Sequence, residues 1–138
     1  MIVADSSVWI DHLNSRATLQ VESLRDLLAR EQILVGDLIL LEILQGVRSE
    51  RDAEEMASLL RQFPFATMLD ADLAVSAAAN YRFLRARGVT IRKTADLIIG
   101  TFCLQNDHLL LHNDRDFDAF AAHLGLRIVD ASLPSRLH

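Results

Sequence analysis

Short apolar runs punctuate the chain at Ile2-Val3-Ala4, Ile33-Leu34-Val35, Phe65-Ala66-Thr67-Met68, Leu109-Leu110-Leu111 and Arg127-Ile128-Val129. Each is too short for a helix and is bounded by polar residues or glycine, as strands are. Between them, apolar side chains recur at helical spacing: Val21, Leu24, Leu27 and Leu28 form one stripe, and Met56, Leu59, Leu60 and Phe63 another. Asp70 or Asp72 is placed to cap a long helix ending at Gly88, and Thr94 and Asp116 mark further helix starts. The segment Leu38-Ile39-Leu40-Leu41-Glu42-Ile43-Leu44 is apolar on every face, which predicts a helix buried all round. Strand and helix alternate throughout. The pattern implies an α/β fold, with a central, mostly parallel sheet of about five strands flanked by helices.

No Pro/Ser/Gly-rich linker or internal repeat interrupts this alternation, so residues 1–138 are expected to form one domain, with about 132–138 as a loose C-terminal tail. At 138 residues and 51% hydrophobic side chains, with a mean hydropathy of +0.19, the chain has the means to bury a core without disulfides. Asp5 interrupts the opening apolar run at once, where a secretory signal needs a longer one, and Glu42 and Asp96 break the longest apolar stretches. Neither a signal peptide nor a membrane span is expected. The single cysteine, Cys103, lies within an apolar stretch and is expected to be a buried core thiol, in keeping with a reducing cytoplasm.

Charge changes the picture more. Acids outnumber bases 19 to 14, for a net charge of -5, which by itself argues against nucleic-acid binding through bulk positive charge. Most of the acids, Asp118 among them, fall on polar helix faces or in turns. Glu42 does not, because it interrupts an apolar helix and needs a cationic partner if buried. Asp5 directly follows the first strand, and Asp114, with Asp116 just beyond, follows Leu109-Leu110-Leu111 in the same way. In open parallel sheets that edge is the crevice where ligands bind. Asp96 opens the helix after Thr94. Singly, each Asp reads as a helix cap or first-turn acid. Converging, they would repel one another unless a divalent ion neutralised them. Oxygen-only ligands point to Mg²⁺ or Mn²⁺ rather than Zn²⁺. His12, His108, His112, His123 and His138 show no zinc spacing, and only His112 lies near the proposed site. No serine or cysteine nucleophile with a His/Asp relay is apparent.

In order along the chain, Asp5-Ser6-Ser7-Val8, Leu41-Glu42-Ile43-Leu44-Gln45-Gly46, Thr94-Ala95-Asp96-Leu97-Ile98-Ile99 and Asn113-Asp114-Arg115-Asp116-Phe117 resemble the PIN-domain nucleases, and among them the VapC-like toxins of toxin–antitoxin pairs. The resemblance implies the toxin of a type II pair: a Mg²⁺- or Mn²⁺-dependent endoribonuclease that hydrolyses RNA through activated water, forms a homodimer and is inhibited by a VapB-like antitoxin. It also implies an acidic quartet of Asp5, Glu42, Asp96 and Asp114 that holds metal and catalyses, with Asp116 in support and Ser6 or Ser7 as the polar residue after the first acid. Many members carry Thr or Ser where this chain has His112, which leaves the local hydrogen bonding open. A haloacid-dehalogenase-like phosphatase would want Asp in place of Ser7, and a response-regulator receiver would want its lysine after the last strand. A PIN-like binding module with an inactive pocket stays open as the non-enzymatic alternative.

Arg82, Arg85, Arg87, Arg92 and Lys93 gather ahead of Asp96 as a candidate path for an RNA backbone; the plainer reading is a solvated helix end. Trp9 and Phe117, beside the site segments, are expected to pack in the core rather than stack on bases. The stripes Val21 to Leu28 and Met56 to Phe63 pack in the core on the default reading, and otherwise offer a candidate groove for a partner's helix. Setting Asp5, Glu42, Asp96, Asp114 and Asp116 aside leaves 14 acids against 14 bases, so the whole excess of negative charge can be assigned to one expected pocket on a neutral scaffold.

Overall fold

The computed structural model describes residues 1–132. The proposed tail at 132–138 falls outside the described residues apart from Ser132. In chain order the elements are β1 (Ile2–Ala4), α1 (Ser6–Leu13), α2 (Leu19–Ala29), β2 (Ile33–Gly36), α3 (Asp37–Gln45), α4 (Glu50–Leu60), β3 (Phe65–Ala66), α5 (Ala71–Ala86), α6 (Thr94–Gln105), β4 (Leu109–Leu111) and α7 (Arg115–Leu124). The starts follow local chemistry. Thr18, Ser49 and Asp70 accept from the first-turn amides of α2, α4 and α5 at 3.0, 3.1 and 2.8 Å.

The strands form one parallel sheet in the order β3-β2-β1-β4. Succession runs outward from β1 to β2 and β3 on one side, then returns to place β4 on the other. β1 is therefore central, and the order reverses between β1 and β4, where Ile2, Val3 and Ala4 pair with Leu109, Leu110 and Leu111. In open α/β sheets such a reversal opens a crevice at the carboxyl ends of the two strands. The Asp5 N–H donates to the Leu111 carbonyl at 2.9 Å, which carries the pairing right to the edge of that crevice.

Among the described residues the sheet has four strands, not five. Arg127-Ile128-Val129 lies alongside β4 with a single bridge, Ile128 to Leu110, and goes no further. Asp130 ends it, because its Oδ1 accepts from both the Ser132 amide (3.0 Å) and hydroxyl (2.6 Å) and curls the chain into a turn. The run at Phe65 to Met68 is a strand over only Phe65–Ala66. The Met68 amide leaves the ladder for the Asp37 carboxylate at 3.0 Å, and its side chain packs over Gly36, where any Cβ would collide with it.

The helix α3, expected to be buried all round, is not. Only Ile39 and Ile43 of α3 are fully buried, and Leu41 is 52% exposed, because α3 packs on β2, α1 and α4 and leaves its other flank open. The enclosed helix is α6, buried from Ile98 through Cys103. Its Gly100 faces the Phe120 ring so closely that a Cβ would lie 2.8 Å from a ring carbon, which draws α7 tightly onto α6. Cys103 is buried, and burial, then the nearby Asp5 charge, push its thiol up to about 12. Trp9 and Phe117 are both core residues. Among the described residues no helix is long and apolar enough to cross a membrane.

Candidate metal centre

Three helices begin at the crevice, and an acid opens each. Asp5 is the N-cap of α1, Asp114 the N-cap of α7, and Asp96 lies in the first turn of α6. The capping reading and the site reading hold at once, because the two capping carboxylates divide their oxygens. Asp5 Oδ2 accepts from the Ser7 amide (3.4 Å) and hydroxyl (2.7 Å), while its Oδ1 is buried without a hydrogen bond. Asp114 Oδ1 accepts from the Asp116 amide at 2.9 Å, and its Oδ2 lies 4.0 Å from Lys93 Nζ. Asp96 Oδ2 is a second buried oxygen without a partner. Glu42, half-buried on α3, is held by the Ser6 hydroxyl at 3.1 Å. Both serines after Asp5 are thus employed, Ser6 on Glu42 and Ser7 on Asp5.

Carboxylate oxygens of Asp96, Asp114 and Asp116 lie within 4.8 Å of one another. Asp116, expected only in support, belongs to this closest grouping. Asp5 and Glu42 border it and act through their charge. Burial, then the charges of Asp5 and Asp114, raise the Asp96 carboxyl from 3.8 to about 7, against the opposing pull of Lys93. Burial raises Asp5 as well, in spite of the Ser7 hydrogen bonds, and raises Glu42 with help from the Asp5 charge. Asp96 and Asp5 are 3% and 4% exposed. Helix N-termini favour carboxylate anions, yet here desolvation and mutual repulsion win, and the cluster lacks positive charge. Hard, partly orphaned oxygens that repel one another suit a divalent cation that prefers oxygen.

Of the basic set, Lys93 alone has a recorded contact with the acids. Arg85 lies over the Tyr81 ring, and Arg87 lies over Phe83 while donating to its carbonyl at 3.1 Å, so both are bound up with the end of α5. Arg82 and Arg92 are exposed. One residue that sequence reasoning passed over as a site residue is Asp118: it reads as a polar helix-face acid, but its Oδ1 lies 3.6 Å from Nε2 of the buried His112. The available signal was its position one helical turn beyond Asp114.

The family model for the PIN domain matches residues 2–123. The chain belongs to the PIN-domain family. Among the relatives of this PIN domain, ribonuclease VapC11 of Mycobacterium tuberculosis is 28% identical over 123 residues, covering 88% of this chain and 92% of that one. Among solved structures, FitAcB from Neisseria gonorrhoeae superposes with a TM-score of 0.72 at 18% identity, over 97% of this chain and 100% of that one. VapBC2 from Rickettsia felis, bound to a promoter DNA fragment, gives 0.72 at 15% identity over 94% and 98%. At those identities the likeness is one of fold.

A second feature lies on the flank of this PIN fold. A groove of about 500 Å³ runs between α1, α3 and α4, floored by Ile10, Leu13, Ile43, Met56 and Leu59 and rimmed by Arg48, Asp52 and Glu55. Half of the groove expected from the sequence is therefore in place. Met56 and Leu59 of the second stripe line it, whereas Leu60 is buried, Phe63 packs beside Trp9, and Val21, Leu24 and Leu27 of α2 are buried in the fold.

Proposed function

We propose that this chain is a VapC-like toxin, an endoribonuclease whose Asp5, Glu42, Asp96, Asp114 and Asp116 hold Mg²⁺ or Mn²⁺. The observation that carries the reading is the pair of buried, partnerless oxygens, Asp5 Oδ1 and Asp96 Oδ2, beside the Asp114 and Asp116 carboxylates. A domain with no cation to bind there would gain by replacing such groups with neutral ones. Bound at these oxygens, a divalent ion supplies charge neutralisation for a scissile phosphate and acidifies water. The chain's own residues do the rest. Ser7 and Ser6 orient Asp5 and Glu42, and the α1 and α7 caps fix the strand-end acids. Lys93, the only lysine of the chain, is placed to meet a phosphate that approaches from solvent.

RNA is the substrate in this reading, which follows the names of the relatives. A VapB-like antitoxin is the partner, with an apolar segment seated in the α1/α3/α4 groove. The working unit is a homodimer in the cytoplasm. The test is cleavage of total RNA by the purified chain with Mn²⁺, beside EDTA and the Asp96→Asn variant. Cleavage lost in both controls supports the reading. Cleavage that persists in EDTA or in the variant rejects the mechanism, and metal binding without cleavage favours the binding-module alternative.

A further inference from the structure

We infer that His112, steadied by Asp118, is a positioning residue that locks Asp114 at the acidic site; the inference rests on the reading of Asp114 as a metal-holding carboxylate. The connection from β4 to α7 is His112-Asn113-Asp114. Its conformation decides where the Asp114 carboxylate points: the Asp116 and Phe117 amides of α7 donate to Asp114, but neither holds the Asp114 amide. The His112 imidazole does. Its Nδ1 accepts from the Asp114 amide at 3.0 Å, closing the turn between side chain and backbone two residues on that an Asn, Asp, Ser or Thr oxygen usually makes.

A rigid ring in this role is anchored where a hydroxyl is not. His112 is 9% exposed, and its ring lies 5.2 Å from that of Phe117, which belongs to the core. An imidazole that accepts at Nδ1 carries its proton on Nε2. Nε2 is buried without a hydrogen bond, and the Asp118 carboxylate faces it at 3.6 Å, about half an ångström outside hydrogen-bond range. Asp118 therefore favours the tautomer that keeps Nδ1 an acceptor, much as a carboxylate orients a metal-bound histidine from behind. A chain of contacts results: Asp118 orients His112, His112 pins the Asp114 amide, and Asp114 caps α7 through Oδ1 while presenting Oδ2.

The experiment uses the full chain. With ¹⁵N-labelled backbone and histidine rings, NMR of the metal-free protein should show scalar coupling across the Asp114 N–H to His112 Nδ1 bond. Mn²⁺ affinity is then measured for wild type, His112→Leu, His112→Asn and Asp118→Ala. His112→Leu keeps the bulk without the acceptor and should weaken Mn²⁺ binding about ten- to a hundredfold. His112→Asn restores an oxygen acceptor and should recover most of that loss. Asp118→Ala, at an exposed site where folding is not at stake, should weaken both the coupling and the affinity. Absence of the coupling in wild type overturns the inference, as does equal Mn²⁺ affinity in all four proteins. So does a wild type that binds no Mn²⁺, which rejects the metal reading of Asp114 as well. If the coupling and affinity pattern hold while RNA is left uncut, the nuclease reading falls and the positioning role stands.

Discussion

Asp96 shows how a single side chain ties stability to function. Its carboxyl is raised from 3.8 to about 7, so the metal-free fold favours the neutral form. Stability from this group is full below about pH 4, where folded and unfolded chains both hold the proton, and it is lost as pH rises toward 7, where folding must retain a proton that the unfolded chain releases. Asp5 and Glu42, raised for the same reason, act in the same direction. Urea denaturation across pH 4 to 8 should therefore show metal-free wild type losing stability relative to Asp96→Asn as pH rises, a difference that sets aside His12, His108 and His112, whose lowered pKa values act in the opposite direction. The loss should shrink in wild type with Mn²⁺, and a metal-free wild-type profile parallel to that of Asp96→Asn would contradict the assignment. Asp5→Asn separates two roles that one residue plays: Asn is as good an N-cap as Asp, so α1 should persist while divalent binding is lost.

At the scale of elements, the site depends on how closely α6 and α7 approach, because Asp96 opens one helix and Asp114 and Asp116 open the other. Gly100→Ala would force a methyl group against Phe120 and should destabilise the fold by ~1–3 kcal/mol, with Mn²⁺ affinity falling as the helix starts part. Asp70→Ala is the control. It removes the cap of α5, should cost about 1 kcal/mol in urea denaturation, and should leave metal affinity untouched. The start of α5 was readable from the sequence, because Asp70 stands as a short polar residue directly before a long helical run. The start of α7 was read at Asp116 when the capping residue is Asp114. Two acids two residues apart look alike as caps until the β4 ladder shows where the strand stops. The all-round burial expected of α3 belongs instead to α6, since unbroken apolar sequence states that a helix tolerates burial but not whether neighbours cover every side.

For the molecule as a whole, metal and partner should act at separate places. A divalent ion at a hundredfold above its Kd should add ~2.7 kcal/mol, or roughly 10 °C in Tm for a chain of this length. The shift should vanish in Asp5→Asn. A metal-free and a metal-saturated melting curve that coincide in wild type would refute the centre. Leu59 is 44% exposed in the groove, so Leu59→Glu should change stability by no more than about 0.5 kcal/mol. It should nonetheless abolish capture by the antitoxin while RNA cleavage continues. Loss of cleavage together with capture would mean that the groove and the acidic crevice are one functional surface.

The sequence by itself determined the alternation of strand and helix, the short buried strands β1, β2 and β4, the cap of α5 at Asp70 and the placement of acids at strand ends. These are local facts, written in periodicity and in which side chains satisfy a helix's first amides. It also made the acids suspicious as a set and set the chain beside the PIN family. Tertiary structure alone decided that β1 and β4 are neighbours, which brings Asp5 together with Asp114 from opposite ends of the chain. It decided that Asp116 joins the closest group, that Ser6 serves Glu42, that α2 turns its stripe inward, and that Asp118 stands behind His112. The physical reason is that strand order and helix packing are settled by long-range burial. A residue's own neighbours in sequence record which face is apolar, but not what that face will meet.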